Sequence, residues 1–239
     1  MSSGRTIYKM QVIDIIDHTA GVRELVISAE SPAEFAFRAG QFVTLHVPHE
    51  PKPALRAYSI SSDERQKNGF RLLFKYVDNG VASNFVWKLK KEDTLQFTGP
   101  FGRVFFKEPP SAQIVFLNTG TGLSQHYSYL QSKKDQYPEL KYRMLFGVRN
   151  EKDIYYAKEL DQLTRDLPDF KYEYVLSRPS ENWKGKKGYV QHFLSEYDYQ
   201  TIDTTFYLCG NGGMIKEVKA QLIEKDGFDK AKIFAEAFD

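Results

Sequence analysis

The stretch Leu55-Arg-Ala-Tyr-Ser-Ile-Ser-Ser62 brings a cation, an aromatic ring and a hydroxyl together within a few residues. Because the side chains of a β-strand alternate between its faces, Arg56 and Tyr58 would share one face, with Ser59 beside them. A flat aromatic cofactor with a phosphate tail needs these three groups. An ordinary half-buried strand, with a packed tyrosine and a solvated arginine, also explains the tetrapeptide, so the rest of the chain must decide.

The composition of the chain is that of a soluble globular protein, with 239 residues, 41% hydrophobic and 27% charged. A net charge of +2 gives no general electrostatic reason to bind nucleic acid or a membrane. The single cysteine, Cys209, excludes an intramolecular disulfide and a four-cysteine iron–sulfur cluster made by this chain alone. The histidines show no ligand spacing, so no metal site is expected. Without an apolar leader or a membrane-length apolar run, a cytoplasmic location is expected.

The first half of the chain reads as short strands separated by turn residues. Separators include Ala39-Gly40, Lys67-Asn68-Gly69 and Gly99-Pro-Phe-Gly102. Six strands of this kind predict a small antiparallel barrel or sandwich. The predicted strands cover residues 7–16, 22–28, 41–47, 56–61, 70–76 and 94–98.

One helical segment, residues 81–89, interrupts these strands and follows Asp78-Asn-Gly80. The N-terminus of a helix presents free backbone N–H groups, which favour a phosphate. Capping of the helix by Ser83 or Asn84 is an equally good interpretation of the same residues. Pro109-Pro110 resists both helix and central strand and marks the best domain boundary, which predicts domains at residues 1–108 and 111–239.

Beyond the prolines the chain alternates between strand and helix. Alternation of this kind predicts a parallel sheet with helices on both faces and the strand order 3-2-1-4-5. Ligands bind such sheets at the carboxyl ends of the strands, between the first and fourth strands. The predicted strands are residues 113–117, 142–148, 171–177, 205–209 and 232–238, and the predicted helices are residues 123–131, 156–165, 189–195 and 214–225.

Two glycine-rich loops fall at the switch point of this predicted sheet. They are Asn118-Thr-Gly-Thr-Gly122 after the first strand and Cys209-Gly-Asn-Gly-Gly-Met214 after the fourth. Glycines let the backbone approach a pyrophosphate. Each loop also leads into a predicted helix, whose N-terminus favours anions. The dinucleotide fingerprint is incomplete, because Gln125 stands where its third glycine belongs and Arg149 replaces the usual acidic residue. The pair of loops nevertheless favours a nucleotide site.

Taken together, these motifs resemble the ferredoxin–NADP⁺ reductases and their relatives over nearly the whole chain. The resemblance implies an N-terminal antiparallel Greek-key β-barrel that binds flavin, followed by a five-stranded parallel Rossmann-like nucleotide domain. The motifs, in family order, are Arg56-Ala-Tyr-Ser59, Gly80-Val-Ala-Ser83, Gly99-Pro-Phe-Gly102, Thr119-Gly-Thr-Gly122, Cys209-Gly-Asn-Gly-Gly-Met214 and Glu236-Ala-Phe238.

The resemblance also implies roles for individual residues. Arg56 would hold the flavin phosphate, Tyr58 would stack on the isoalloxazine ring, and Ser59 would lie near flavin N5. Cys209 would face the nicotinamide, Glu236 would be an acidic partner there, and Phe238 would cover the flavin. The remaining cofactor residues implied are Ala57, Lys75, Tyr76, Val77, Gly80, Val81, Ala82 and Ser83 for the flavin, and Thr119, Gly120, Thr121, Gly122, Gly210, Asn211 and Met214 for the nicotinamide nucleotide.

Two of these assignments have plain structural alternatives, and one position departs from the family. Cys209 alone could be a buried core residue, and Glu236 could be a solvated residue at the edge of the sheet. The family usually has proline where this chain has Gln125, so the loop is expected to be less rigid.

Basic residues near the predicted nucleotide domain favour NADPH, because the 2′-phosphate carries additional negative charge. Ser177, Arg178, Lys187 and Tyr189 resemble the phosphate-binding set of NADP-specific members, and Arg149 could reach the same end. NADH stays open, since Ser-Arg-Pro with Trp183 also resembles oxygenase reductases that use NADH.

The resulting interpretation is an enzyme that transfers hydride between NADPH and FAD and passes single electrons to ferredoxin or flavodoxin. Such carriers are commonly acidic, and Lys88, Lys90 and Lys91 could supply a basic rim. No nucleic acid or membrane partner is expected, and the protein is expected to be a monomer. Two alternatives are the NADH-dependent reductase component of an oxygenase and a flavin-binding electron-transfer subunit without independent turnover.

Overall fold

A computed structural model describes residues 6–238 of the chain. The predicted features at residues 1–5 and at Asp239 lie outside the described part. The chain divides into two compact units, one reaching to Phe105 and including Tyr127–Ser132, the other containing Phe106–His126 and everything from Lys133 onward. Helix α2 (Leu123–Lys133) therefore contributes residues to both units. The domain limits predicted from Pro109-Pro110 did not include this sharing and stay a prediction.

The first unit contains a six-stranded antiparallel sheet, as the sequence predicts. The strand order is β4-β3-β6-β1-β2-β5, so the last strand lies between the third and the first in a Greek-key arrangement. The strands are β1 (Ile7–Thr19), β2 (Val22–Ser31), β3 (Phe42–Val47), β4 (Ala54–Ser59), β5 (Gly69–Lys75) and β6 (Thr94–Phe101), and the helix is α1 (Val81–Val86).

This sheet curls until its two edge strands approach each other. An antiparallel bridge joins Ile60, directly after β4, to Leu72 of β5. Ser61 N also donates to Arg71 O at 3.0 Å. These contacts pair some backbone groups of the two edges, and the curled sheet encloses a core of alternating inward side chains. Met10, Leu25, Val43, Leu45, Phe70, Leu72 and Phe97 are among the buried residues of that core.

Two boundaries in the first unit differ from the sequence prediction. Gly99-Pro-Phe-Gly102 was expected to separate elements, but residues 99–101 continue β6, where the ladder to β3 shifts register between Phe42 and Thr44. Gly99 has a φ of +147°, which a glycine adopts without strain. Helix α1 ends at Val86 rather than at residue 89.

The second unit is built on a parallel sheet of order β10-β9-β8-β7-β11-β12. Without the two-residue edge strand β10, this is the predicted order 3-2-1-4-5, which is therefore confirmed. The short strand makes a sixth member that no sequence pattern indicated. The strands are β7 (Gln113–Thr119), β8 (Lys141–Val148), β9 (Phe170–Leu176), β10 (Lys186–Lys187), β11 (Thr204–Asn211) and β12 (Ile233–Phe238), and the helices are α2, α3 (Ala157–Asp166) and α4 (Gly212–Lys219).

Alternate residues of the central strands face opposite layers of this unit. On one face, Val115 and Leu208 pack in a cluster with Leu194 and Val218, which come from the helical segments. On the other face, the ring of Phe116 lies 4.8 Å from that of His126 in α2. A parallel sheet covered on both faces explains why its strands read as continuous apolar runs.

Three helical segments of the second unit differ from the prediction. The predicted helix at residues 189–195 is a 3₁₀ helix, Val190–Glu196. Helix α4 begins two residues earlier than expected and continues as a π-helical turn, Ala220–Lys225. Lys232 closes a short 3₁₀ turn, Lys230–Lys232, so β12 begins one residue later than predicted.

Within residues 6–238, the structure contains no helix whose length and hydropathy would allow it to span a membrane.

Candidate cofactor site

Strand β4 displays Arg56 and Tyr58 as the alternation of a strand requires. Arg56 is exposed, and its guanidinium donates to the carbonyl of Leu55 at 2.9 Å. The Tyr58 ring is half-buried, with its centroid 4.3 Å from that of Phe74. Burial raises the pKa of the Tyr58 phenol to about 12, against the opposing charge of Arg56. Tyr58 is thus a neutral aromatic ring backed by the barrel core, beside a free-standing cation.

Ser59 has a feature that a purely structural strand residue rarely shows. The residue is only 5% exposed, and within residues 6–238 its hydroxyl oxygen has no hydrogen-bond partner. Buried hydroxyls without partners are uncommon because losing water without replacement costs free energy. A hydrogen bond to a cofactor atom would give the Ser59 hydroxyl the partner that it lacks among these residues. The residues of β4 therefore fit a flavin.

The turn between β5 and α1 is organised by the Ser83 hydroxyl. Its oxygen accepts from Val77 N at 2.9 Å and donates to Lys75 O at 3.4 Å. The N-cap residue of α1 is Gly80, and Ser83 and Asn84 lie inside the helix, so the interpretation that either of them is the cap is wrong. Ser83 therefore shapes the turn, and direct contact between its hydroxyl and a phosphate would compete with these bonds.

The backbone of this turn is nevertheless suited to an anion. Asn84 N donates to Gly80 O, so the helix's own bonds begin at Asn84 and leave the amides of Val81, Ala82 and Ser83 outside that ladder. A Cβ on Gly80 would lie 2.9 Å from Val77 O, which explains the glycine. Lys75, Tyr76 and Val77 are all exposed beside this turn.

In the second unit, the two glycine loops meet at the switch point as predicted. Asn211 N donates to the Thr119 hydroxyl at 2.9 Å. Gly210 has a φ of +126°, and a Cβ there would lie 2.3 Å from Thr119 Oγ1. A Cβ on Gly122 would lie 2.3 Å from Cys209 O. These glycines are required because the two loops touch through their backbones.

Gly120 behaves differently from the other loop glycines. Its φ is +52°, yet a Cβ there would meet no atom within 4 Å, so the glycine faces open space. The Tyr155 hydroxyl fixes this loop by donating to Gly120 O at 2.8 Å. Thr121 is half-buried next to it. An open, glycine-lined loop at this place is suited to the approach of a phosphate.

Asn211 and Met214 have structural roles that their loop position did not reveal. The Asn211 side chain accepts from Met214 N at 3.1 Å and caps α4. Met214 is buried in the core cluster of this unit.

Cys209 and Glu236 lie in one register row with Asn118, across β7, β11 and β12. Cys209 is fully buried, and burial together with the nearby Glu236 carboxylate raises the pKa of its thiol well above the usual range. Burial also raises the pKa of the Glu236 carboxyl, while a hydrogen bond from Gln125 lowers it. The row therefore presents a neutral thiol beside a half-buried carboxyl, and Phe238 follows at the end of β12, half-exposed.

The residues predicted for the 2′-phosphate come from the ends of three adjacent strands. Arg178 N donates to Arg149 O at 2.7 Å, which brings the backbones of the two arginines together. Ser177 N donates to Val148 O at 3.1 Å, and Lys187 lies on β10 in register with Leu176. Arg149, Arg178, Lys187 and Tyr189 are exposed, while Ser177 is half-buried. The set is thus a cationic surface at one end of the sheet.

Two family models match this chain, one in its first half and one in its second half. The family model described as "Oxidoreductase FAD-binding domain" matches residues 9–106, and "Oxidoreductase NAD-binding domain" matches residues 116–220. A "Ferredoxin--NADP reductase B" of Sorangium cellulosum is 32% identical over 225 residues, which cover 91% of this chain and 92% of that protein. The chain belongs to the ferredoxin–NADP⁺ reductase family.

More distant relatives show the breadth of this family. The glycine betaine monooxygenase reductase subunit of Chromohalobacter salexigens is 27% identical over 238 residues, which cover 97% of this chain but 64% of that subunit. A crystal structure of a ferredoxin NADP+ reductase from Neisseria gonorrhoeae with bound FAD and NADP superposes with a TM-score of 0.81 at 20% identity, covering 97% of this chain and 98% of that one. This chain therefore shares its fold with that solved structure.

Membership in the ferredoxin–NADP⁺ reductase family confirms the fold class, the enzymatic nature and the cofactor classes predicted from the sequence. The protein is an oxidoreductase that uses FAD and a nicotinamide nucleotide.

Sequence reasoning missed two polar groups of this family member. Asn118 is fully buried, its amide lies 3.2 Å from His126 Nδ1, and its carbonyl oxygen has no hydrogen-bond partner within residues 6–238. Glu151 accepts from both the Ser180 amide and hydroxyl, at 2.9 and 2.6 Å. These bonds, helped by the charge of Lys187, lower the pKa of the Glu151 carboxyl. An asparagine inside an otherwise apolar strand was the available signal for the first group; no local pattern indicated the second.

Proposed function

We propose that this member of the ferredoxin–NADP⁺ reductase family transfers hydride between NADPH and FAD and delivers single electrons to ferredoxin or flavodoxin. The observation that carries the proposal is the Ser59 hydroxyl, buried without a partner among the described residues, on the strand that displays Tyr58 and Arg56. FAD, when bound, supplies the conversion between two-electron and one-electron transfer.

Residues of the first unit would bind and orient the flavin. Tyr58 offers a neutral ring face for stacking, and Arg56 offers a charge for the phosphate. Ala57 is exposed between them on β4. The backbone amides of Val81, Ala82 and Ser83 would hold the pyrophosphate, with Gly80 keeping the turn open. Lys75, Tyr76 and Val77 would line the flavin edge, which their exposure permits.

Residues of the second unit would bind the nicotinamide nucleotide. Thr119, Gly120, Thr121 and Gly122 form the first loop, and Gly210 lets the second loop contact it. Asn211 and Met214 would act indirectly, since one caps α4 and the other packs beneath it.

Cys209 and Glu236 would serve the nicotinamide end of the site. Cys209 would supply shape and contact as a neutral thiol, because burial opposes its ionisation. Glu236 would be the group that holds or releases a proton at its carboxyl oxygens. Phe238, at the end of the same strand, would cover the flavin.

The preference for NADPH rests on the cationic surface formed by Arg149, Arg178 and Lys187. A 2′-phosphate gains charge-assisted hydrogen bonds from arginine that a 2′-hydroxyl does not. The Glu151 carboxylate, which Lys187 helps to keep ionised, reduces the net positive charge of this surface. We therefore expect a limited preference for NADPH, with NADH as a second substrate.

The basic rim predicted for an acidic carrier protein has one notable member, Lys88. With Tyr76, Asn84 and Trp87 it lines a surface groove of the first unit. The Lys91 ammonium, by contrast, pairs with the Asp14 carboxylate at 2.6 Å, which reduces the charge it can offer. Lys88→Glu should therefore weaken carrier reduction more than Lys91→Glu, measured as the KM for a purified ferredoxin at two salt concentrations.

The experiment that tests the function is anaerobic mixing of the purified protein with NADPH and with NADH. The protein should be yellow with FAD, and its flavin absorbance should bleach faster with NADPH. A colourless protein that takes up no FAD, or a yellow protein that neither nucleotide bleaches, would exclude hydride exchange.

A second function is favoured by the likeness to the glycine betaine monooxygenase reductase subunit. In this alternative the chain is the NADH-dependent reductase component of an oxygenase, with an iron–sulfur protein encoded separately. The chain spans 64% of the length of that relative. Faster bleaching with NADH than with NADPH would favour this alternative. Cytoplasmic location and a monomeric state stay predictions of the sequence.

A further inference from the structure

A side-chain hydrogen bond joins α2 to the last strand of the second unit. Gln125 Nε2 donates to Glu236 Oε2 at 3.0 Å, between residues 111 positions apart in the sequence. Gln125 is 1% exposed, so its amide is not a surface group that meets the carboxylate by chance. The bond therefore belongs to the interior of this unit.

The surroundings of the Glu236 carboxyl act on it in opposite directions. Burial favours the neutral acid, whereas an N–H donated to the carboxylate favours the ionised form. Cys209 faces it from β11, and its neutral thiol brings no compensating positive charge. The hydrogen bond from Gln125 on α2 lowers the pKa of this carboxyl and so favours the anion.

We propose that Gln125 is a positioning residue for Glu236, which fixes the orientation of its carboxylate through the hydrogen bond from Nε2 to Oε2. The proposal rests on the proposed function, in which Glu236 serves the nicotinamide end of the site. The amide suits this role because it donates a hydrogen bond without adding a charge, whereas lysine or arginine would place a fixed cation at the reacting centre. Proline, usual at this position in the family, has no side-chain donor.

The test measures the titration of the Glu236 carboxyl directly, by carbon-detected NMR on full-length protein labelled with ¹³C at glutamate. The resonance is identified by its absence from Glu236→Gln. Gln125→Met removes the donor at similar volume and should raise the titration midpoint by about one pH unit, since a hydrogen bond to a charged group is lost. Gln221→Met is the matched control, because Gln221 Nε2 also donates to a carboxylate, that of Asp226 at 3.0 Å, in the same unit.

A second pair of variants keeps the test decisive if Gln125→Met folds poorly. Gln125→Glu places two carboxyls together, which should destabilise the protein and raise the midpoint further. Gln125→Glu combined with Glu236→Gln restores one donor and one acceptor with reversed polarity, so it should recover most of the lost stability.

The proposal is overturned if Gln125→Met leaves the midpoint unchanged, if Gln221→Met raises it equally, or if the reversed pair recovers no stability. Failure of the proposed function gives a different result. If Glu236→Gln exchanges hydride at the unaltered rate while Gln125→Met still raises the midpoint, Gln125 positions a carboxyl that the reaction does not use.

Discussion

Cys209 and Glu236 occupy paired positions on the neighbouring parallel strands β11 and β12. The pairing puts a fully buried thiol next to a carboxyl, and both burial and the carboxylate charge disfavour the thiolate. Cys209 is therefore not expected to act as a nucleophile, because a nucleophilic cysteine needs a lowered pKa and access to solvent.

The thiol of Cys209 should therefore resist modification in the folded protein. With Ellman's reagent at pH 8, the native protein should react far more slowly than a free thiol, and one thiol should appear after unfolding in guanidinium. The chain has a single cysteine, so the signal has one source. A native thiol that reacts at the rate of free cysteine would contradict both the burial and the raised pKa.

Two loop glycines should differ in how strongly alanine destabilises the protein. Gly210→Ala forces a Cβ to within 2.3 Å of Thr119 Oγ1 at a φ of +126° and should cost about 2 kcal/mol or more of unfolding free energy. Gly120→Ala meets nothing within 4 Å and should cost only about 1 kcal/mol, for the left-handed backbone. Urea unfolding measures both.

For the affinity of the nicotinamide nucleotide, Gly120→Ala should have a larger effect than Gly210→Ala. Among variants that remain folded, Gly120→Ala should weaken NADPH in calorimetric titration, because the methyl group fills the space left for the phosphate. Unaltered NADPH affinity in Gly120→Ala would remove this loop from the site. Gly21→Ala, which also meets nothing within 4 Å and lies in the first unit, is the control.

Ser59→Ala should leave the flavin-free protein at least as stable as the original. The hydroxyl it removes is buried and unpartnered within residues 6–238, so no intramolecular bond is lost. With FAD bound, hydride transfer should slow by about tenfold or more, as expected for one hydrogen bond at the reacting centre. Anaerobic stopped-flow checks the rate. If the flavin is lost instead and reconstituted protein reacts normally, Ser59 serves binding only.

His126 should make the folded protein sensitive to acid. Burial lowers its pKa to about 3, so the folded state keeps the ring neutral while the unfolded chain takes up a proton below about pH 6.5. Stability from this group is complete above pH 6.5 and is lost as the pH falls toward 3, at up to about 1.4 kcal/mol per pH unit. Urea unfolding between pH 4.5 and 7 measures the slope.

His126→Gln should flatten that slope, whatever its effect on stability at neutral pH. His49 is exposed, so His49→Gln is the control for loss of a histidine that is not buried. Equal slopes in the original protein and His126→Gln would show that the ring is protonated in the folded state.

Arg178→Ala should weaken NADPH by about tenfold to a hundredfold and NADH much less, because only NADPH carries the 2′-phosphate. Titration of flavin bleaching with each nucleotide measures both affinities. Arg165→Ala is the control, since that arginine hydrogen-bonds Gln162 on α3. Equal losses for both nucleotides would remove Arg178 from the phosphate contact.

Much of the fold was predictable because it depends on local patterns. Alternation in the first half and strand–helix rhythm in the second specify an antiparallel barrel and a parallel sheet, and handedness rules then leave few strand orders. The two glycine loops were found for the same reason, since parallel strands place their carboxyl ends at one edge.

The errors lie where tertiary contacts override local preference. Gly99-Pro-Phe-Gly102 reads as a turn, yet pairing of Phe101 with Phe42 of β3 keeps residues 99–101 in β6. Strand β10 is too short for any pattern and exists because Lys186 and Lys187 pair with the end of β9.

The two architectures, the motif residues and the classes of cofactor could be predicted because each depends on spacing along the chain. How those residues are used depends on contacts that form only in the folded protein. Folding engaged Ser83 in a turn, left Ser59 Oγ without a partner among residues 6–238, and buried Cys209 as a neutral thiol. It also joined Gln125 to Glu236. Burial and hydrogen bonding between distant segments exist only after folding, so no local pattern encodes them.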